Sequence, residues 1–198
     1  MEEFRIIKWF PNFSVSNFGN VRNNSTGKNL KPTITKNGYY MVILCDEYKT
    51  NKFYIHRLVG QTFLNNPEKK KCIDHIDNNR LKNHISNLRF ATLQENQYNR
   101  KLSSNNTSGA KGVYFHKPFN KWMVLISING KLKNLGYFEK KEDAIRKRVE
   151  KAKEIYGEYM NSCEQIKEDI VEIKDDNQRE LDEIEALERE LDELIKRK

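Results

Sequence analysis

Residues 72–99 read CIDHIDNNRLKNHISNLRFATLQENQYN, and their reading decides the first half of the chain. Asp74 and His75 are adjacent at the end of a short apolar step, Cys72-Ile73. An asparagine-rich polar turn follows, and Asn87 opens a second short run, Leu88-Arg89-Phe90. Thr92 then has the chemistry of a helix cap, and Glu95 three residues later completes a capping box. The pattern predicts strand, long loop, strand and helix. Hydrolysis of a stable ester needs a base to deprotonate water and a hard cation to stabilise the departing oxyanion. A neutral imidazole suits the first task, and oxygen ligands on adjoining elements suit the second.

This order, with Asp-His, Asn and Asn at those points, resembles the HNH (ββα-metal) nuclease motif. The resemblance implies phosphodiester hydrolysis, with His75 as general base and Asn87 orienting it. It also implies Asp74 and Asn96 as ligands of one divalent cation, Mg²⁺ or Mn²⁺. Asn stands where some relatives have a second and third His, the variant typical of homing nucleases. Upstream, the phrases VSNFGNVRN (15–23), GYYMVIL (38–44) and IHRLVGQTFLNNPE (55–68) resemble a modular element at the N-terminus of phage-type and intron-type HNH endonucleases. Together the resemblance runs from Trp9 to Asn96.

Nearby polar residues have plainer readings. His56 falls on a short amphipathic helix, apolar at 55, 58, 59 and 63, where packing or a phosphate-facing role is expected. His84 reads as a turn residue, and Asp77, Asn78 and Asn79 as side chains that fold back on their own backbone. Arg80, Lys82, Arg89 and Arg100 would surround a scissile phosphate if the motif folds as implied. Arg89 and Arg100, flanking the second strand and the helix end, are the expected clamps.

Charge supports a polyanionic partner. The 198 residues carry a net +8, but residues 163–198 hold 7 Lys and Arg against 14 Asp and Glu. The basic excess therefore lies entirely in the body, where lysines are interleaved with aromatics, as expected of a nucleic-acid binder rather than a membrane protein. Cys45, Cys72 and Cys163 form no CxxC pair, which argues against a disulfide framework or a structural zinc. No stretch reaches eighteen apolar residues and the start lacks a signal-peptide pattern. An intracellular protein is expected, in the cytoplasm of a bacterial or virus-infected cell, or in the nucleus or viral factory if the host is eukaryotic.

After a polar stretch, KLSSNNTSGA (101–110), the pattern changes. Strands are expected over 111–116, 120–128 and 131–138, with Asn129-Gly130 the strongest hairpin signal. An amphipathic helix is expected over 140–156, closed by Gly157. The phrases GVYFHKPFNKW, LGYFEKKEDAIRK and KEIYG resemble the ethylene-response-factor (APETALA) type of DNA-binding domain. That resemblance implies a sheet lying in the major groove with a helix behind it. Trp122, Val124, Ile126 and Phe138 would pack on the helix, while Lys111, Tyr114, His116, Ser127 and Asn134 would face DNA. The first strand lacks the plant domain's arginines, the commonest guanine readers, so a GC-rich target is not expected.

In the tail, Ile166, Ile170, Ile173, Asn177, Ile184, Leu187, Leu191 and Leu194 recur at steps of three and four, interrupted at Glu180. This is the pattern of a two-stranded coiled coil with one Asn fixing register; a solvated single helix is the alternative. The expected class is α+β. A small β-rich element (1–50) joins a ββα-metal nuclease core (51–100). A linker (101–110), a sheet-plus-helix DNA-binding domain (111–161) and a coiled-coil helix (162–198) follow. The implied function is a homing-type endonuclease acting on double-stranded DNA, expected to nick as a monomer and to pair as a homodimer through the tail. The alternatives are a DNA-binding regulatory protein with an inactive nuclease fold, and a structural partner that uses the tail for assembly.

Overall fold

The computed structural model describes residues 1–46 and 50–196, with the side chains of residues 166, 168, 171 and 184–196 left aside. The chain divides into two compact units, Met1–Arg100 and Lys101–Lys198. The first is mostly short antiparallel strands. β1 (Phe4–Ile7), β2 (Phe10–Ser16) and β3 (Val21–Asn23) form one sheet, and β4 (Thr33–Ile34), β5 (Tyr40–Cys45) and β6 (Thr50–Tyr54) a second. α1 (Ile55–Phe63) leads to a two-stranded ribbon of β7 (Cys72–His75) and β8 (Leu88–Ala91), and α2 (Leu93–Tyr98) closes the unit.

One apolar core joins these pieces. Ile7, Phe10 and Val15 from the first sheet, Val42 and Leu44 from the second, and Leu58 and Val59 of α1 are buried with Leu88 of the ribbon. The β-rich element and the motif-bearing segment therefore share a single core. α1 lies close on β7 because position 60 is glycine: a Cβ there would come within 2.4 Å of Ile73 Cδ1. That close approach seats the helix against the strand that carries Asp74 and His75.

The capping box forms as the sequence indicates. Thr92 Oγ1 accepts from Glu95 N at 3.1 Å, and Glu95 Oε2 accepts from Thr92 N at 2.7 Å. Polar side chains of the 76–87 loop bond backbone that has no strand partner. Asn79 N donates to Asp77 Oδ1 at 2.8 Å and Leu81 N to Asn79 Oδ1 at 3.1 Å.

The second unit is a three-stranded antiparallel sheet backed by a helix. β9 (Val113–His116), β10 (Lys121–Ile128) and β11 (Lys131–Phe138) run in order β11-β10-β9. Asn129 and Gly130 both have positive φ, the turn geometry that matches strand twist and that the Asn-Gly pair favours. α3 (Lys141–Tyr156) buries Ala144, Ile145, Val149 and Ala152 over Val113, Val124 and Ile126. Trp122, paired with Phe115 and Phe138, is half-buried with the Lys141 ammonium 5.4 Å from its ring. α4 (Ser162–Lys196) follows. Ile170 and Ile173 on it are exposed, while Ile166, Ile184, Leu187, Leu191 and Leu194 of the expected seam have side chains outside those described.

Candidate active site

Strand register builds the centre of the site. β7 pairs with β8 so that Asp74 lies opposite Arg89, and cross-strand neighbours of opposite charge meet. Arg89 Nε and Nη2 both donate to Asp74 Oδ2, at 3.1 and 2.9 Å. Asn99, one residue beyond α2, donates to the same oxygen at 2.9 Å and to the His75 carbonyl at 2.9 Å. Asp74 Oδ1 has no protein partner among the described residues. Burial raises the Asp74 pKa, opposed by the hydrogen bond and charge of Arg89.

His75 is buried beside it, and its Nε2 lies 3.1 Å from Asn83 Oδ1. Burial holds the imidazole below its ordinary pKa, against the opposing influence of Asn83 and Asp74. The ring is therefore neutral near neutral pH, the state a general base requires. A cavity of about 330 Å³ opens over the pair, lined by Tyr39, Asp74, His75, Arg80, Asn96 and Arg100 among others.

The expected residues divide. Asp74, His75, Asn96 and Arg100 line one cavity. Asn87 is buried, and among the described residues its side-chain hydrogen bonds do not include His75. Its Oδ1 accepts from Asp77 N at 3.1 Å and its Nδ2 donates to Lys82 O at 2.9 Å, bonds that close the loop on itself. Arg89, expected on a phosphate, is committed to Asp74. Arg80 stands at the cavity wall in its place, its guanidinium 4.9 Å from the Tyr39 ring and its Nη1 donating to Asn37 O at 2.9 Å. His56 packs as expected, with ring centroids 5.0 Å from both Tyr39 and His75. Its Nδ1 is buried without a partner, and burial pushes its pKa down to about 3.

Sequence reasoning missed Asn83, Asn99 and Tyr39. Asn99 was findable: it lies three residues after Asn96, on the same helical face. Asn83 looks like any other turn asparagine, and Tyr39 sits far away in sequence.

In the second unit, strand register puts Tyr114, His116, Ser127 and Asn134 on the sheet face opposite α3. His116, Phe119 and Tyr137 form an aromatic cluster there, with centroids 4.7–5.3 Å apart. Lys111 does not join that face. It ion-pairs with buried Glu164 at 3.1 Å, and Glu164 also meets Arg148 at 2.8 Å.

Known protein families match the first unit in two stretches. Residues 2–45 match the NUMOD4 motif and residues 53–98 match the HNH endonuclease family. The DNA endonuclease I-HmuI of Bacillus phage SP01 is 34% identical over 130 residues, covering 65% of this chain and 74% of that protein. The chain belongs to the HNH endonuclease family. Among HNH relatives, an uncharacterised HNH endonuclease, L245, of Acanthamoeba polyphaga mimivirus is 38% identical over 96 residues, 46% of this chain. The match spans only 29% of that relative's length, and 23% of a second mimivirus relative's. A solved structure titled for DNA binding and cleavage by the HNH homing endonuclease I-HmuI aligns at TM-score 0.48 and 32% identity, over 67% of this chain and 76% of that one. No helix among the described residues of this HNH protein is long and apolar enough to cross a membrane.

Proposed function

We propose that this chain is a metal-dependent, homing-type endonuclease that hydrolyses phosphodiester bonds in double-stranded DNA. One observation carries the reading: a neutral, buried His75 and a half-committed Asp74 carboxylate line the same polar cavity as Asn96, Arg80 and Arg100. No three His, Cys, Asp or Glu side chains gather as a metal cage among the described residues. A single carboxylate oxygen plus an amide fits instead a hard cation that keeps waters and takes phosphate oxygens as its other ligands. Asp74 Oδ1 and Asn96 would hold Mg²⁺ or Mn²⁺, which when bound stabilises charge on the departing oxygen.

His75 removes the proton from the attacking water. Arg89 and Asn99 keep Asp74 Oδ2 occupied and so leave Oδ1 for the cation. Arg80 and Arg100 supply positive charge to the phosphate, and Asn87 holds the loop that frames the cavity. An ethylene-response-factor-type domain over 111–161 would read DNA through Tyr114, His116, Ser127 and Asn134. The common sheet face of these four residues supports that assignment, and the Glu164 pairing of Lys111 counts against Lys111 as a member. Exposed Ile170 and Ile173 on α4 support pairing of two chains through that helix, each bringing one site.

The competing reading, an inert fold used only for DNA binding, is separated by one assay. Supercoiled plasmid incubated with the protein and Mg²⁺ or Mn²⁺ should be nicked or linearised, and EDTA should abolish the reaction. Binding without cleavage under either metal would favour the inert reading.

A further inference from the structure

We propose that Asn83 is a positioning residue that fixes the tautomer of His75, and that the Asn17–Gly19 turn of the N-terminal element holds Asn83 in place. This rests on the reading of His75 as general base.

The amide has one orientation. Asn83 Nδ2 donates to Leu81 O at 3.3 Å, so Oδ1 is the atom 3.1 Å from His75 Nε2. An amide oxygen only accepts, so the imidazole hydrogen must sit on Nε2. The opposite tautomer would set two lone pairs against each other in a site with only 5% exposure at both residues. Nδ1 is therefore the basic nitrogen. It has no hydrogen-bonding partner among the described residues, and its ring lines the cavity. Whichever ring nitrogen does chemistry is set by the bond the other one makes.

Asn83 is itself clamped from two sides. Asn87 Nδ2 donates to the carbonyl of Lys82, immediately before it. From the other side the N-terminal element closes in: Ile85 N donates to Asn17 O at 2.9 Å, and the Phe18 ring meets the His84 ring edge-on at 4.6 Å. Gly19 has φ +91°, and a Cβ there would lie 3.0 Å from Asn83 Cβ and 3.2 Å from Ile55 Cγ2. Only glycine gives both that backbone and that approach. On this account the β-rich element is part of the catalytic architecture, whatever contacts it also makes with DNA.

The test begins with the unmodified full chain. With ¹⁵N-labelled histidine at mildly alkaline pH, and the His75 signals assigned by their loss in His75→Gln, Nε2 should show the protonated-nitrogen shift and Nδ1 the unprotonated one. A proton on Nδ1 would overturn the proposal without any variant. Asn83→Leu should lose the fixed tautomer and lower kcat by about 10–100-fold, the range for removing an orienting partner, with KM unchanged. Asn83→Asp keeps an acceptor and should restore both the Nε2–H signature and most of the rate. A folded Asn83→Leu protein with wild-type kcat and wild-type shifts would overturn it equally. Cleavage by His75→Ala at wild-type rate would instead sink the general-base reading, an outcome distinct from either tautomer result.

Discussion

Asp74 and Glu164 are both carboxylates buried against an arginine, one in each unit, and the difference between them separates a site from a strut. Glu164 uses both oxygens: Oε1 lies 2.8 Å from Arg148 Nη1 and Oε2 lies 3.1 Å from Lys111 Nζ. The Arg148–Glu164 contact is not aligned as a hydrogen bond, and Arg148 Nε is buried without a partner. The pair ties the first turn of α4 to α3. Asp74 uses one oxygen for Arg89 and Asn99, leaves the other without a protein partner among the described residues, and lines a cavity together with its neighbour His75. Burial and pairing alone do not distinguish the two acids; what differs is that Asp74 has this one unpartnered oxygen and lines a polar cavity. Buried pairs of the first kind are weak evidence of net stabilisation, because desolvation opposes the Coulomb gain, but breaking one is costly.

The largest effect should come from Asp74→Ala. Cleavage should be lost at low Mg²⁺ while DNA affinity stays within a few-fold, read by plasmid relaxation and gel shift. Retained cleavage would erase the distinction drawn between the two acids. Glu164→Ala should do the reverse. Leaving Arg148 buried and unpaired should cost about 3–5 kcal/mol, measured by denaturant unfolding, with cleavage chemistry per folded molecule unchanged.

His56 sharpens the contrast through pH. Its folded pKa is pushed to about 3 by burial, with the charge of His75 adding to the shift, against about 6.5 unfolded. Between those values the unfolded chain binds the extra proton, so stability rises with pH across that window. The contribution is fully present above about pH 6.5 and is lost as pH falls toward 3. His56→Gln should flatten the pH dependence of the thermal midpoint; an unchanged slope would place its origin elsewhere. The smallest effect should be Gly60→Ala. The added Cβ meets the flexible end of Ile73, so a shift costing about 1–3 kcal/mol is expected, as for overpacking.

Much of this was legible in the sequence where local chemistry decides. The Thr92–Glu95 capping box, the Asn129-Gly130 hairpin and strand β11 follow from short-range rules, and the structure has each of them. Asp74 and His75 were legible because a loop, a second apolar run opened by Asn87 and a capped helix follow them in order, and both residues line one cavity. What depends on register was not. Arg89 reads as a free cation until β7 and β8 are aligned and Asp74 falls opposite it. Lys111 reads as a DNA contact until α4 brings Glu164 back across more than fifty positions. The roles of Asn83, Asn87 and Asn99 were interchangeable on paper, since each asparagine in a turn has the same hydrogen-bonding inventory. Only the fold decides which amide meets the ring, which meets the carboxylate and which meets the backbone.

The most direct test of the account is a side-by-side measurement of cleavage and binding for the wild type and His75→Ala on the same supercoiled plasmid with Mg²⁺ or Mn²⁺. Loss of a general base typically costs about 10²–10⁴-fold in rate, and the account predicts a fall of that size with DNA affinity within a few-fold of wild type. A variant that cuts at near wild-type rate would contradict it, because no other neutral base in the cavity has been given that role.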